Sequence, residues 1–294
     1  MTTTAPVSRR FVAPSRKQTS VAIAALLALG LAGCQNLSGA GPSASVAELE
    51  QDTSGSAGVN IGSLSEVISR NPNDPGAYNT RGAAYARIGR FSDAVADFSK
   101  AIQLDPNQAP AFTNRALAFR QTGKNDAAMQ DFSRAIDVNP SYAPAYLGRG
   151  NLMRAQGNSA QAINDLNAAI RLNPEGAEAL HARGLVYQRE NQHPQAISDF
   201  DSAIDRNPYV AAPYTARGQS LIVVGKLDQA IEDFTAALNV DNRNADAWAG
   251  RGLAAEKLGR RNEAVESYQR AITVDANNAS AKSGLSRLGG GVRS

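Results

Sequence analysis

The stretch DFSKAI, residues 97–102, decides the fold, because the chain returns to it at a constant interval of 34 residues. The related stretches are DFSRAI at 131–136, DLNAAI at 165–170, DFDSAI at 199–204, DFTAAL at 233–238 and SYQRAI at 267–272. A constant period of this length is typical of an array in which equivalent units stack on one another. We therefore expect six units, at residues 75–108, 109–142, 143–176, 177–210, 211–244 and 245–278.

Each unit carries the pattern of two amphipathic helices. In the first unit the first half has Tyr78, Gly82 and Tyr85 at helical spacing, and the second half repeats that spacing around Phe98. The site of Gly82 holds a small residue in every unit: Gly82, Ala116, Gly150, Gly184, Gly218 and Gly252. Glycine inside a helix costs roughly 1 kcal/mol relative to alanine, so this pattern indicates closely packed helices.

The ends of the two helices are also readable. Gly89 lies between the two halves of the first unit, where a residue with positive φ can end the first helix. The second helix is predicted to end at Asp105, because Pro106 follows and cannot continue it.

These residues resemble the tetratricopeptide repeat, with its pattern of a large residue, x3, Gly, x2, Tyr, then Ala, x3, Phe, x2, Ala and Pro. The resemblance covers 75–278 and implies an all-α, right-handed superhelical solenoid of six helix-turn-helix repeats. Capping helices are expected at 61–74 and, with the tail, at 279–294. The site of Tyr85 becomes Met153, Leu221 and Ala255, and that of Pro106 becomes Asn242 and Ala276. The C-terminal repeats are therefore expected to end or stack slightly differently.

The first 33 residues predict a secretory signal peptide. They carry four basic residues and no acid, followed by an apolar run and small residues. The run at 21–33 would extend only about 20 Å as a helix, too short to cross a bilayer core of roughly 30 Å. An Arg9-Arg10 pair gives a weaker resemblance to a twin-arginine export signal.

The sequence Leu31-Ala32-Gly33-Cys34 resembles the lipoprotein box of bacteria, and Cys34 is the only cysteine in the chain. The resemblance implies cleavage before Cys34 and acylation of that residue, which would anchor the protein to a membrane. Residues 34–60 are rich in Gly, Ser and Ala and are predicted to form a lipidated flexible tether. The alternative is a chance cysteine at the end of an ordinary signal peptide.

Charge argues against a nucleic-acid partner. The chain carries +3 and the leader carries four positive charges and no negative one, so the remainder has a net charge of −1. Nucleic-acid binding requires clustered positive charge in excess. An enzyme is also not expected, because neither of the two histidines, His181 and His193, has a nearby acid at a spacing independent of the repeat, and no cysteine can complete a nucleophile or metal site. We predict no cofactor.

Arginine and aspartate recur sixteen residues apart in five repeats. The pairs are Arg81 with Asp97, Arg115 with Asp131, Arg149 with Asp165, Arg183 with Asp199, and Arg217 with Asp233; the sixth repeat has Arg251 and Ser267. The matched numbers favour a structural ladder, within or between repeats, because a guanidinium suits bidentate pairing with a carboxylate. The alternative is a basic stripe that binds an anionic glycan or phosphate.

In the resembled family, certain first-helix positions line an inner groove that binds partners. In this sequence they include Asn79, Thr113, Leu117, Arg120, Leu147, Asn151, Arg154, His181, Leu185, Thr215 and Gln219. This set is mixed, with apolar residues and a modestly basic part in the second and third repeats. It does not match the carboxylate clamp of lysines and asparagines found in chaperone-binding members.

The function implied by the resemblance is a non-enzymatic scaffold for other envelope proteins, lipid-anchored on the periplasmic side of a bacterial outer membrane. The chain is similar to tetratricopeptide lipoproteins that assist pilus or secretin assembly, outer-membrane protein assembly or peptidoglycan hydrolases. The fold alone does not distinguish among these roles. The alternative function is a periplasmic lipoprotein that binds a glycan or small ligand.

Overall fold

The structure is a computed structural model that describes residues 56–289. Within that range the chain forms fourteen α-helices. Their bounds are α1 (Ser56–Arg70), α2 (Pro75–Arg87), α3 (Phe91–Leu104), α4 (Ala109–Gln121), α5 (Asn125–Val138), α6 (Ala143–Ala155), α7 (Ser159–Leu172), α8 (Ala177–Arg189), α9 (His193–Arg206), α10 (Ala211–Val223), α11 (Leu227–Val240), α12 (Ala245–Lys257), α13 (Arg261–Val274) and α14 (Ala279–Arg287).

The helices pack in consecutive pairs, and the expected all-α solenoid is confirmed. Each of the six units contains one pair, from α2 with α3 to α12 with α13. Every helix also packs on the next one along the chain. The first helices of successive units contact each other, whereas the second helices of successive units do not. The first helices therefore lie on the inner side of the array, where a groove forms.

The turn inside each pair uses a left-handed residue, as predicted at Gly89. Gly89 has φ of 76°, and the equivalent glycines of four other units have φ between 74° and 87°. The fourth unit has Asn191 there, with φ of 58°. Asparagine tolerates this conformation better than most residues, so the turn is kept without glycine. The predicted stop at Asp105 is also seen, because α3 ends at Leu104.

The core between units is built from one ring on each second helix and small residues on the first helices. Phe98, Phe132, Phe200, Phe234 and Tyr268 are at most 1% exposed, and Leu166 takes this place in the third unit. A Cβ added to Gly184 would lie 2.5 Å from the Phe200 ring, closer than side chains pack. The small residue therefore allows the ring to fill the space against the first helix.

The second unit shows how the array compensates for a larger residue. Its small site is Ala116 rather than glycine, and here the next unit supplies Gly148, whose added Cβ would lie 2.3 Å from Phe132. Phe234 and Tyr268 have glycine on both sides, from their own unit and from the following helix. Each of the six core side chains thus contacts at least one glycine.

Helices cover both ends of the array within the described residues. α1 precedes the first unit and begins at Ser56, five residues before the predicted start at 61. No proline interrupts the sequence between 56 and 61, so the helix can extend into the stretch assigned to the tether. At the other end, α14 packs on α13, and Gly284 lies against the ring of Tyr268. The predicted signal peptide, Cys34 and most of the predicted tether lie outside the described residues.

Candidate functional site

The ladder of arginine and aspartate lies mainly inside the units. In each of five repeats the arginine Nε and Nη2 donate to the two carboxylate oxygens of the aspartate sixteen residues later, at 2.6–2.9 Å. The arginine side chains are 18–22% exposed and the aspartates 7–10%. The hydrogen bonds to aspartate raise the pKa of Arg81, Arg149, Arg183 and Arg217.

The same arginines also join neighbouring units. Their Nη1 donates to a polar side chain on the preceding second helix, at 2.5–3.1 Å. These acceptors are Ser65, Ser99, Ser133, Asn167 and Asp201. Sequence reasoning missed this contact, although the acceptors lie sixteen residues before each arginine and recur every 34 residues. Five guanidinium groups are therefore already engaged by side chains of the protein itself, which favours the structural alternative over a basic stripe for anionic ligands.

The groove contains a cavity of about 290 Å³ between the third and fifth units. It brings together five of the predicted groove residues: Leu147, Asn151, Arg154, His181 and Leu185. Glu178 on α8 and Val210 and Pro213 at the start of α10 complete much of its wall. The cavity therefore combines apolar surface with one cation and one carboxylate.

Arg154 and His181 are the two basic side chains of this cavity. The guanidinium of Arg154 lies 3.4 Å from the Oδ1 atom of Asn151, at the edge of hydrogen-bonding distance. Burial, and then the charge of Arg154, lower the pKa of His181 to about 4. His181 is therefore neutral at neutral pH, and its ring lies 5.8 Å from that of Phe200. The positive charge of the cavity comes from Arg154.

The other predicted groove residues lie apart from this cavity. Thr113 is fully buried and its hydroxyl has no hydrogen-bond partner among the described residues. Thr215 is 8% exposed, donates to the carbonyl of Ala211 and accepts from the amide of Asn244. Leu117 is 7% exposed. These three side chains offer a partner little surface.

The remaining three groove residues differ in their surroundings. Asn79 accepts a hydrogen bond of 3.0 Å from Asn114 of the next unit. Arg120 is half-buried at the end of α4, and Gln219 is exposed on α10. The set predicted as one surface thus divides into a cavity around Arg154 and separate positions along the array.

Within residues 56–289, no group of three or more histidine, cysteine, aspartate or glutamate side chains is placed to hold a metal ion. None of the helices in that range is both long and apolar enough to cross a membrane.

Models of known protein families match the chain over most of its repeats. Models described as the tetratricopeptide repeat match residues 75–108, 177–209 and 215–281, and one described as the TPR repeat matches 116–157 and 150–191. A comparison with curated protein sequences gives no match.

Solved structures share the fold. The APC/C hetero-tetramer Cut9–Hcn1 matches at 21% identity with a TM-score of 0.70, over 80% of this chain and 46% of that chain. This chain thus spans about half the length of that relative. PilF of Pseudomonas aeruginosa matches at 18% identity and a TM-score of 0.67, over 73% of this chain and 97% of that chain. PilW, described as a type IV pilus biogenesis factor, matches at 18% identity and a TM-score of 0.65, over 72% of this chain and 98% of that chain.

The sequence identities to these solved structures are too low to transfer a role, so the matches show a shared fold alone. The family models, by contrast, cover well over half of the chain and carry the same periodic residues that the structure places in the core. The chain therefore belongs to the tetratricopeptide repeat family, whose members are scaffolds that bind other proteins.

Proposed function

We propose that the protein is a lipid-anchored scaffold of a bacterial envelope, which holds a segment of another envelope protein in its groove. The observation that carries the proposal is the cavity around Arg154, on the side where the first helices of successive units meet. A groove of this kind accepts an extended or helical segment of a partner. PilW, which is described as a type IV pilus biogenesis factor and has the same fold, is an example of the assembly role that we propose.

The residues that line the cavity indicate which side chains the partner segment should carry. Leu147, Leu185 and Val210 offer apolar contact, and Arg154 offers a charged donor beside them. His181 adds no charge at neutral pH because its pKa is about 4. We expect the segment to place an apolar side chain in the cavity and a carboxylate next to Arg154, since a guanidinium pairs strongly with a carboxylate.

The groove is tested by reversing its charge. The double variant Arg120→Glu, Arg154→Glu should keep the helicity of the wild type and lose most proteins that co-purify from solubilised envelope, because like charges then face an acidic segment. Binding that remains should depend less on salt.

A matched control carries the same charge change elsewhere in the same two repeats. Arg134 and Arg171 are exposed on the second helices α5 and α7. The double variant Arg134→Glu, Arg171→Glu should retain the partners. Recovery of the same proteins at the same yield with the Arg120→Glu, Arg154→Glu variant would show that this groove is not the binding surface.

Anchoring is tested separately, at Cys34. The sequence Leu31-Ala32-Gly33-Cys34 motivates the proposal that the mature protein begins with an acylated cysteine on the periplasmic side of the outer membrane. The Cys34→Ala variant should accumulate as an uncleaved, unlipidated precursor. Intact mass spectrometry of the mature wild type should show the added acyl chains, and an unmodified Cys34 there would refute lipidation.

A further inference from the structure

The sixth repeat differs from the others around its ladder arginine. In five repeats the arginine binds an aspartate, whereas Arg251 has Ser267 at that site. The site of Tyr85 also changes. It holds Tyr, Phe, Met, Tyr and Leu in the first five repeats and Ala255 in the sixth. Two side chains that surround the same arginine are therefore smaller in this repeat than in any other.

The hydrogen bonds of Arg251 reflect this change. Its Nε donates to the Oγ of Ser267 at 3.0 Å, and the hydroxyl of Ser267 donates to the carbonyl of Glu263 at 2.8 Å. Within residues 56–289, Arg251 makes no other hydrogen bond and no ion pair. The ring of Trp248 lies 4.5 Å from its guanidinium carbon, which is a cation–π contact.

A cavity of about 150 Å³ occupies the space that the smaller side chains leave. Its walls are Ile231, Arg251, Ala255, Glu263 and Ser267, from three successive helices. One water needs roughly 10–15 Å³ on this measure, so the cavity has room for a carboxylate and part of the group that carries it. Its polar lining is the guanidinium of Arg251, the hydroxyl of Ser267 and the carboxylate of Glu263, and its apolar lining is Ile231 and Ala255.

The guanidinium of Arg251 is the cation of this cavity, and the carboxylate of Glu263 lies in the same wall. Burial lowers the pKa of Arg251, the opposite of the shift that aspartate causes in Arg81, Arg149, Arg183 and Arg217. The group remains charged at any physiological pH. Glu263 and Glu266 are exposed and partly offset this shift. A partly buried cation without a bound carboxylate is stabilised when one binds.

We infer that the cavity beside Arg251 is a binding site for a carboxylate group, which pairs with the guanidinium as Asp233 pairs with Arg217 one repeat earlier. The carboxylate belongs either to a small organic acid or to a protein segment, as an acidic side chain or a chain terminus. The site is separate from the cavity around Arg154, and the inference holds whether or not a partner binds there.

The test is a titration of the full-length protein with sodium acetate, with sodium chloride at equal ionic strength as reference. The Nε–Hε signal of Arg251 in ¹H–¹⁵N spectra should shift and saturate with acetate and not with chloride. Thermal melting should show stabilisation by acetate, because the ligand binds the folded state. Absence of a shift beyond the chloride reference would overturn the inference.

Two variants introduce into the sixth repeat side chains that other repeats have at the same sites. Ser267→Asp supplies the missing carboxylate, so it should raise the melting temperature and weaken acetate binding by about tenfold or more. Ala255→Leu supplies the residue of the fifth repeat and should also weaken binding, because it fills the apolar side. Acetate affinity that is unchanged in Ser267→Asp would overturn the inference even if acetate binds the wild type.

Glu263 provides a further check, because its charge lies at the same cavity. Glu263→Gln should tighten acetate binding, and a loss of binding would contradict the site. A second arm compares short peptides that end in a free carboxylate, or carry one aspartate, with their amidated or asparagine counterparts. Binding of a peptide but not its counterpart identifies a protein segment as the source, whereas binding of acetate alone identifies a small acid.

Discussion

At the scale of single residues, the ladder shows a largely buried charge in which all three guanidinium nitrogens donate a hydrogen bond. Arg149 binds both oxygens of Asp165 and the hydroxyl of Ser133 on the preceding helix. Asp165 is 10% exposed at its side chain. The net value of such a pair is small when both partners are replaced, but removal of one partner leaves the other charge buried and unpaired.

Arg149→Ala should therefore lower the free energy of unfolding by about 1–3 kcal/mol. Arg134→Ala is the matched control, because Arg134 is exposed and makes no ion pair with any described residue. Arg134→Ala should change the free energy of unfolding by no more than about 0.5 kcal/mol. Urea unfolding followed by circular dichroism measures both. Equal unfolding curves for Arg149→Ala and the wild type would reject a stabilising role for the ladder.

His181 gives the array a pH dependence of defined sign. Its pKa is about 4 when folded, from burial and the charge of Arg154, against an ordinary value of 6.5. Between these values the unfolded chain binds a proton that the folded chain does not. Stability should therefore fall as the pH drops from 6.5 towards 4. Urea unfolding at a series of pH values should show a shallower fall for His181→Gln, and parallel curves would contradict this.

At the scale of helices, the contact between rings and small residues is the feature that substitutions should disturb most. Phe132 lies between Ala116 of its own repeat and Gly148 of the next, and only the glycine leaves it space. Overfilling of a packed core costs about 1–3 kcal/mol, which exceeds the roughly 1 kcal/mol that alanine gains over glycine in a helix.

Gly148→Ala should therefore be destabilising, by up to about 2 kcal/mol after the gain in helix propensity. Gly62→Ala is the control, because Gly62 lies in α1 with no atom within 4 Å of an added Cβ. That change should be neutral or stabilise by up to about 1 kcal/mol. Thermal melting separates the two. If both substitutions stabilise, the ring and the first helix are not tightly packed.

Local sequence was sufficient to predict where most helices lie and end. Gly89 acts through backbone conformation, which depends on few neighbours, and the structure has the expected turn. α3 ends before Pro106 as expected, but α11 and α13 end at the equivalent Val240 and Val274 without that proline. The start of α1 at Ser56 was not predicted. Nothing in the sequence there resembles a repeat, so periodicity offered no guide. The role of Gly148 was also missed, because it appears only when the ring of one repeat is placed against the next.

At the scale of the whole molecule, the repeat pattern predicted the architecture but only part of the site. Leu147, Arg154 and His181 were predicted to share a surface, and one cavity contains them. Thr113 and Thr215 were assigned to the same surface and are buried. Exposure of these positions depends on how closely successive first helices approach. That distance depends on small rotations between repeats, which no local pattern encodes.

The constant period has a consequence for the gene. Successive repeats meet through recurring contacts, with no insertion between them: an arginine against a polar side chain and, where Gly148 and Gly250 follow, a ring against a glycine. Loss or duplication of 34 codons by unequal recombination therefore joins surfaces that already fit, and yields a chain that folds with a shorter or longer groove. The length of the array can thus change in single heritable steps. The last repeat is the exception, since exchange of its coding segment would remove Ser267 and Ala255 and leave α14 against a different neighbour.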